Sequence, residues 1–116
     1  PPSLLARLTQ LDYGREMALI ASQGGETWGT VRMIREPIGG GCEFAIVVAP
    51  QAKGTGLARH LMERGIAWAR EQGVREITGH VLADNQPMLA FMRAMGFALR
   101  RDPDDAEVML ATLDLA

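Results

Sequence analysis

Apolar side chains recur along this chain with two different periods, and the period distinguishes helices from strands. Over residues 54–72, apolar pairs fall at positions 57/58, 61/62, 65/66 and 68/69 and alternate with charged or polar residues. This spacing matches the 3.6-residue period of an amphipathic helix. Gly73 follows directly and is the expected C-terminal stop. We therefore predict a helix from Gly54 to Gln72.

A second helix is predicted over residues 84–97, in the stretch DNQPMLAFMRAMGF. Asp84 or Asn85 can cap its start, because short polar side chains accept hydrogen bonds from the first free N–H groups. Pro87 suits the first turn, where its missing N–H costs nothing, and Gly96 suits the end. The apolar residues of this helix, spaced as on one helical face, are expected to belong to the core.

The other apolar segments are short and rich in β-branched residues, which is typical of strands. A tight turn at QGG, residues 23–25, joins the first two strands as a hairpin. Residues 44–49 are continuously apolar, as in a strand covered on both faces. The stretch SLLARL, residues 3–8, is expected to end a helix. Strands are predicted at residues 16–22, 26–36, 42–49, 75–82, 97–101 and 107–115. The resulting order, α-β-β-β-α-β-α-β-β, predicts an α/β domain with a mixed sheet and helices packed on it.

Composition narrows the class of protein. A chain of 116 residues with 47% hydrophobic content suits a single domain, residues 1–116, with a buried core. Twelve basic and fourteen acidic side chains give a net charge of −2, which does not favour nucleic acid as a partner. The lone Cys42 has no disulfide partner, no Cys/His spacing is typical of a metal site, and no apolar run is long enough to span a membrane. We expect a cytoplasmic protein without a metal. Because the chain begins at Pro1 rather than at a methionine, we also expect it to be a piece of a longer protein.

The turn after the strand at 42–49 has a composition suited to anions. It reads QAKGTG from Gln51 to Gly56, and the predicted helix follows at once. A loop that enters a helix in this way directs several main-chain N–H groups into one concavity, at the positive end of the helix dipole. Gly54 and Gly56 leave room for a large anion, and Lys53 adds positive charge. The pattern Q-x-x-G-x-G differs from the two common phosphate-loop patterns, and ordinary turn chemistry is the alternative explanation of its glycines.

With this loop between a strand and a helix, the chain resembles the GNAT superfamily of N-acetyltransferases over roughly residues 10–115. The resemblance rests on the strand EFAIVVA, the loop QAKGTGLA, the strand ITGHVLADN and the helix ending in AMGF, in that order. It implies a GNAT fold, which is a mixed, mostly antiparallel sheet with splayed central strands and flanking helices. The first strand and helix of that fold are expected to be missing from this chain.

The resemblance also implies acetyl-CoA as the cofactor. In this family the loop holds the pyrophosphate of coenzyme A, and the pantetheine arm lies between the splayed strands against the backbone of the first one. For Asn85, which the resemblance places against the pantetheine arm, the alternative is that its side chain only caps the second helix. The cofactor-binding residues implied by the resemblance are Ile46, Val47, Val48, Gln51, Ala52, Lys53, Gly54, Thr55, Gly56, Leu57, Ala58, Asn85 and Phe91.

A narrower resemblance, in LTQLDYGREMALIA and CEFAIVV, is to the acetyltransferase domain of bacterial Pat-type protein lysine acetyltransferases. In those proteins the domain is fused to a large acyl-CoA-synthetase-like region. The resemblance implies a protein lysine as acceptor and other domains of the same chain as partners. A small-molecule amine is the alternative acceptor, and a non-catalytic coenzyme A sensor is the alternative function.

Glu43 is the candidate catalytic base. A lysine amine has a reference pKa of about 10.4, so it must lose a proton before it attacks a thioester. Glu43 begins the apolar strand, where partial burial would strengthen a carboxylate as a base, and it matches the glutamate of Pat-type domains. A solvated strand end, or an ion pair with Arg32 or Arg35, is the alternative. Many family members carry a tyrosine acid where this chain has Met92, which leaves the general acid unassigned.

Overall fold

The computed structural model describes the backbone of residues 5–9 and all of residues 14–116. Within the described residues four strands come first, and a short 3-10 helix at Pro50–Ala52 lies directly before the first α-helix. In chain order the elements are β1 (Leu5–Thr9), β2 (Glu16–Gln23), β3 (Glu26–Arg35), β4 (Gly41–Val48), α1 (Leu57–Glu71), β5 (Glu76–Leu82), α2 (Gln86–Ala94), β6 (Ala98–Asp102) and β7 (Asp105–Asp114).

The seven strands found in the described part of the chain form one sheet in the order β1-β2-β3-β4-β5-β7-β6. All neighbours pair antiparallel except β4 and β5, which are parallel. This arrangement confirms the predicted mixed, mostly antiparallel sheet. The helix end expected at residues 3–8 is wrong, because residues 5–9 form β1 and pair with β2. Pairing along the free edge of β2 outweighs the local helix propensity of this segment.

β2 and β3 form the predicted hairpin around Gly24 and Gly25. Both glycines have positive φ, 58° and 81°, as a type I′ turn requires at its two central positions. The turn fixes the pairing of Gln23 with Glu26. The register beyond it brings the side chains of the two strands into matching positions on each face of the sheet.

The two helices begin and end at the expected kinds of residue. α1 starts at Leu57, later than the predicted Gly54, because Gly54 and Gly56 have positive φ and belong to the loop. Gly73, at φ 76°, follows its C-terminus as predicted. The Asn85 side chain caps α2 by accepting a hydrogen bond from the main-chain N–H of residue 88 at 3.2 Å.

The core lies on one face of the sheet, which we call the helix face. Gly65 of α1 packs directly on Met33 of β3, because a Cβ atom at Gly65 would lie 2.4 Å from the Met33 methyl group. Phe97, directly after α2, packs on Phe44 of β4 with ring centroids 5.3 Å apart. Trp68 of α1 is fully buried in this core. Both helices therefore pack on the same side.

We call the opposite side of the sheet the open face. One expectation about residues 44–49 is wrong there. This strand is not covered on both faces, since Ala45 and Val47 are exposed there and Val47 retains 66% of its accessible surface. Leu82 of β5, at 59%, is exposed on the same face. Both helices of the described chain pack on the helix face, so neither of them covers the open face. Within residues 14–116, neither helix is long and apolar enough to cross a membrane.

Candidate active site

The parallel strands β4 and β5 separate after a short paired segment. Gly41–Glu43 lies opposite Glu76–Thr78, and the pairing stops there although β4 continues to Val48 and β5 to Leu82. We call the opening between the two strands beyond this segment the fork. It is the splay of the central strands that the resemblance to the GNAT superfamily implies.

The backbone of β4 turns polar groups toward the fork. The N–H of Ala49 donates to the carbonyl of Trp28 at 2.8 Å, in line with the β3–β4 ladder. In an antiparallel strand, the main-chain N–H and C=O groups of successive residues alternate between pointing to the partner strand and pointing away from it. The main-chain N–H and C=O groups of Val47 therefore point to β3, and those of Ile46 and Val48 point to the fork. Since β5 has moved away, these groups are free to pair with an extended ligand.

The loop between β4 and α1 gathers unpaired N–H groups. The Thr55 hydroxyl shapes this loop, because it donates to the carbonyl of Ala52 and accepts from the N–H of Leu57 at 3.2 Å. The first turn of α1 carries no acidic side chain. A helix N-terminus of this kind attracts anions such as phosphate groups. Among the described residues, the main-chain N–H groups without a hydrogen-bond partner here are those of Gly54, Gly56, Ala58 and Arg59.

A cavity of about 540 Å³ opens between this loop, the end of β4 and the start of α2. Its volume falls in the range of roughly 300–1,000 Å³ that is usual for small-molecule sites. Most of the predicted cofactor-binding residues line it, namely Val48, Ala52, Lys53, Gly54, Gly56, Leu57, Ala58, Asn85 and Phe91. Asn85 thus caps α2 and also lines the cavity, so its two proposed roles do not exclude each other.

The other predicted cofactor-binding residues lie outside the cavity lining. Ile46 lies further along the fork, and Val47 directs its side chain to the open face. The Gln51 side chain donates to the Glu26 carboxylate at 3.5 Å and so connects the loop to β3. Thr55 forms the loop hydrogen bonds described above. Gln51 and Thr55 therefore hold the loop rather than line its cavity.

The cavity also contains residues that the sequence prediction did not include. Arg59 adds a second positive charge beside Lys53, and its guanidinium lies 3.9 Å from the exposed Glu63 carboxylate. The position of Arg59 in the first helical turn after Gly56 was the sequence feature that could have indicated this contribution. Met88 was assigned to the core by its helical spacing, but it contributes to the cavity wall as well. The unpredicted lining residues are Ala49, Pro50, Arg59, Pro87 and Met88.

Glu43 lies at the narrow end of the fork, opposite Thr78 in the last β4–β5 pair. Its side chain points to the open face and is exposed, so the partial burial expected from the sequence is not present. The ion pairs considered as alternatives are also absent among the described residues. Arg32 lies 3.8 Å from Glu16, and Arg35 donates to a main-chain carbonyl at 2.9 Å. The carboxylate is therefore free to meet a ligand at the fork.

Two further side chains near the site are buried in the core. Met92, at the position of the usual tyrosine acid, has no exposed surface and supplies no proton. Burial raises the pKa of the Cys42 thiol from its usual 9.0 to about 11. Within the described ranges, His, Cys, Asp and Glu side chains form no cluster that could hold a metal ion.

Solved structures of acetyltransferases share this architecture. The GNAT domain of PAT from S. lividans superimposes with a TM-score of 0.81 at 31% identity, covering 92% of this chain and 65% of that chain. The cAMP-binding acyltransferase from Mycobacterium smegmatis gives 0.75 at 27% identity, covering 90% of this chain and 33% of that one. The protein yncA of Salmonella typhimurium, solved with its cofactor acetyl-CoA, gives 0.70 at 21% identity, covering 87% and 65%, and shows likeness of fold.

Sequence comparison gives the same assignment. The acetyltransferase PA5475 of Pseudomonas aeruginosa is 35% identical over 98% of this chain, which spans 63% of that protein's length. A mycothiol acetyltransferase of an Arthrobacter species is 33% identical over 53% of this chain and 19% of its own length. The chain thus spans less than two thirds of these relatives. Because residues 2–97 match the family described as Acetyltransferase (GNAT) family, the chain belongs to the GNAT acetyltransferases.

Proposed function

We propose that this chain is an acetyl-CoA-dependent N-acetyltransferase with its cofactor in the fork. The observation that carries the proposal is a line of backbone groups without partners in the described part of the chain, from Ile46 and Val48 in the fork to the N–H groups at Gly54 and Gly56. Acetyl-CoA presents complementary groups along the same line: a thioester end, the amides of an extended arm, and a pyrophosphate. The arm adds to β4 in the manner of an extra strand.

The length of β4 fits this placement. Val48 comes five positions after Glu43, which corresponds to about 17 Å of extended strand. The loop anchors the pyrophosphate with main-chain N–H groups, and Lys53 and Arg59 add positive charge at the rim. An arm that follows β4 from this anchor brings its thioester end to the narrow end of the fork. That is where Glu43 lies.

The acceptor amine approaches from the open face, because the core fills the helix face. Acetyl-CoA supplies an activated acyl carbon at the end of its arm. The Glu43 carboxylate takes a proton from the acceptor ammonium, which leaves a neutral amine with a free electron pair for attack. Glu43 is suited to this role because it is exposed on the acceptor side and has no ion-pair partner among residues 14–116.

We further propose that the acceptor is a lysine side chain of a protein, in the cytoplasm. The support is the resemblance to Pat-type domains, together with 31% identity to the GNAT domain of S. lividans PAT over 92% of this chain. A small-molecule amine is the alternative acceptor, and the similarity to mycothiol acetyltransferases over about half of the chain favours it.

Mass spectrometry of acceptors after incubation with acetyl-CoA tests the proposal. Lysine peptides and proteins, polyamines, amino sugars and amino acids are offered in parallel, with enzyme-free samples as the control for spontaneous acetylation. The proposal predicts enzyme-dependent acetylation of an amine, with lysine ahead of the small amines. Acetylation of a small amine alone would contradict the lysine assignment. Tight binding of coenzyme A without transfer to any amine would make this a coenzyme A sensor.

A further inference from the structure

On the open face, side chains line both arms of the fork just beyond its last residue pair. Glu43 of β4 and Thr78 of β5 form that pair. The next side chains on the same face are Ala45 on β4 and His80 on β5, because side chains alternate along a strand. His80 is exposed. In ideally paired strands the Cα atoms of Glu43 and His80 would be about 8 Å apart, and the separation of β5 from β4 beyond Thr78 widens this gap, so the two side chains can flank one small ligand.

The charged neighbours of this imidazole are few. Across the fork, Arg32 lies opposite Ala45 and is engaged with Glu16 at 3.8 Å. On the other side, His80 pairs with Leu110 of β7, and the same Leu110 pairs with Arg100 of β6. Arg100 is thus two strands away. Among the described residues, His80 is therefore the titratable side chain that β5 presents to the fork on the acceptor face.

The proposed reaction needs a proton carrier besides Glu43. After a neutral amine has attacked, its nitrogen still holds a proton that must leave, and the departing sulfur gains one. Met92 is buried and has no titratable group, and Cys42 is buried beneath the helix face. An imidazole suits such a transfer, because its unperturbed pKa of about 6.5 lets it accept and release a proton near neutral pH.

Resting on the proposed function, we infer that His80 is a second proton-transfer residue of this site. Its neutral imidazole accepts the N–H proton of the attacking amine as the C–N bond forms, which produces an imidazolium. As the C–S bond breaks, the electron pair of that bond stays on sulfur and the imidazolium returns the proton to it. The products are an amide, a thiol and a neutral imidazole, so protons and electrons balance. Glu43 separately keeps the first proton, which it took from the ammonium.

The test compares His80→Gln with wild type, and His60→Gln is the control. Glutamine keeps hydrogen-bonding capacity but does not titrate, and His60 is an exposed residue of α1 that lies outside the site. We expect kcat/KM of His80→Gln to fall about 10²-fold at neutral pH. Wild type should also lose kcat/KM at acidic pH, once the imidazole is protonated and no longer accepts a proton, and His80→Gln should lack that acidic limb. Coenzyme A affinity should be unchanged in both variants.

Imidazole NMR gives a readout that does not depend on turnover. The chain has two histidines, so the ring signals of His80 and His60 can be assigned with the same two variants. Addition of coenzyme A should shift the His80 ring signals, because the thiol comes to lie beside the ring. The His60 signals should not move.

The outcomes separate this inference from the proposed function. If wild type acetylates amines while His80→Gln keeps its rate and its acidic limb, the role of His80 is wrong and the acetyltransferase assignment stands. A lower rate with an unchanged acidic limb and unmoved ring signals would make His80 structural, which also overturns the inference. If wild type binds coenzyme A and acetylates nothing, the proposed function fails and the inference fails with it.

Discussion

The ring of Phe44 lies directly on the backbone of Gly79, at the point where β4 and β5 begin to separate. A Cβ atom at Gly79 would come within 2.4 Å of the ring, and other ring atoms lie at 2.6 and 2.7 Å. Phe44 follows Glu43 and Gly79 follows Thr78, so the contact comes directly after the last residue pair. The ring forms the helix-face floor at the narrow end of the fork.

Gly79→Ala should destabilise the fold. The added methyl group meets a ring that also packs against Phe97, so the Phe44 ring cannot shift without disturbing that second contact. Overpacking of this kind costs about 1–3 kcal/mol, which a urea unfolding curve resolves. Gly40→Ala is the control, because its Cβ would meet the flexible side chain of Arg75 instead. If Gly79→Ala is as stable as wild type, or if both variants lose the same free energy of unfolding, this packing is contradicted.

Gly54→Val should abolish coenzyme A binding while the chain stays folded. Gly54 has φ 81° and open space around its Cβ position, so valine strains the loop backbone without a clash in the core. Gly73→Val places the same strain at φ 76°, also in open space, beyond the far end of α1. Calorimetry should show lost binding for the first variant and wild-type binding for the second. Retained binding by a folded Gly54→Val protein would show that the loop does not hold the cofactor.

Ionisation of the Cys42 thiol should lower the free energy of unfolding at alkaline pH. Its folded-state pKa of about 11 lies above the usual 9.0, because burial disfavours the thiolate. The resulting stabilisation is complete below pH 9.0 and is lost as pH rises toward about 11, since the unfolded thiol ionises first. Urea unfolding of wild type should therefore lose more free energy than Cys42→Ala across this window. Parallel losses in the two proteins would contradict the raised pKa.

The sequence was sufficient to predict most elements of this fold but not which side of the sheet they cover. The helical period ending at Gly73 and the Gly24–Gly25 turn are local signals, and both appear in the structure. The exposure of Val47 depends on which face the helices choose, and a continuous apolar run does not encode that choice. β1 was missed for a related reason, because it is stabilised by pairing with β2 rather than by its own pattern.

The candidate site was predictable where the residues are adjacent in the chain. The loop between Gln51 and Ala58 is one continuous segment, and its glycines and lysine indicate an anion. The part played by His80 depends on where β5 leaves β4, which only the strand register shows. The freedom of Glu43 likewise required the structure, since Arg32 and Arg35 could have paired with it and instead bind elsewhere.

Glu43→Gln should slow acetyl transfer without weakening coenzyme A binding. Glutamine keeps the size of the side chain but accepts no proton, so the rate near neutral pH should fall by about 10²–10⁴-fold. The deficit should shrink as pH rises, because more of the acceptor amine is already neutral. Glu71→Gln, at an exposed carboxylate at the end of α1, serves as the control and should match wild type. A deficit that stays constant across pH, with weakened cofactor binding, would assign Glu43 a structural role.

Amide hydrogen exchange, measured residue by residue by NMR, tests most directly whether the fork is the cofactor cleft. The N–H groups of Ile46 and Val48 face the fork and have no strand partner among residues 14–116, whereas Val47 lies in the β3–β4 ladder opposite Thr30. Coenzyme A in the fork should slow exchange at Ile46 and Val48 and leave Val47 nearly unchanged. If coenzyme A binds and protects only the loop at residues 54–59, with no effect at Ile46 or Val48, its arm does not occupy the fork and the account is contradicted.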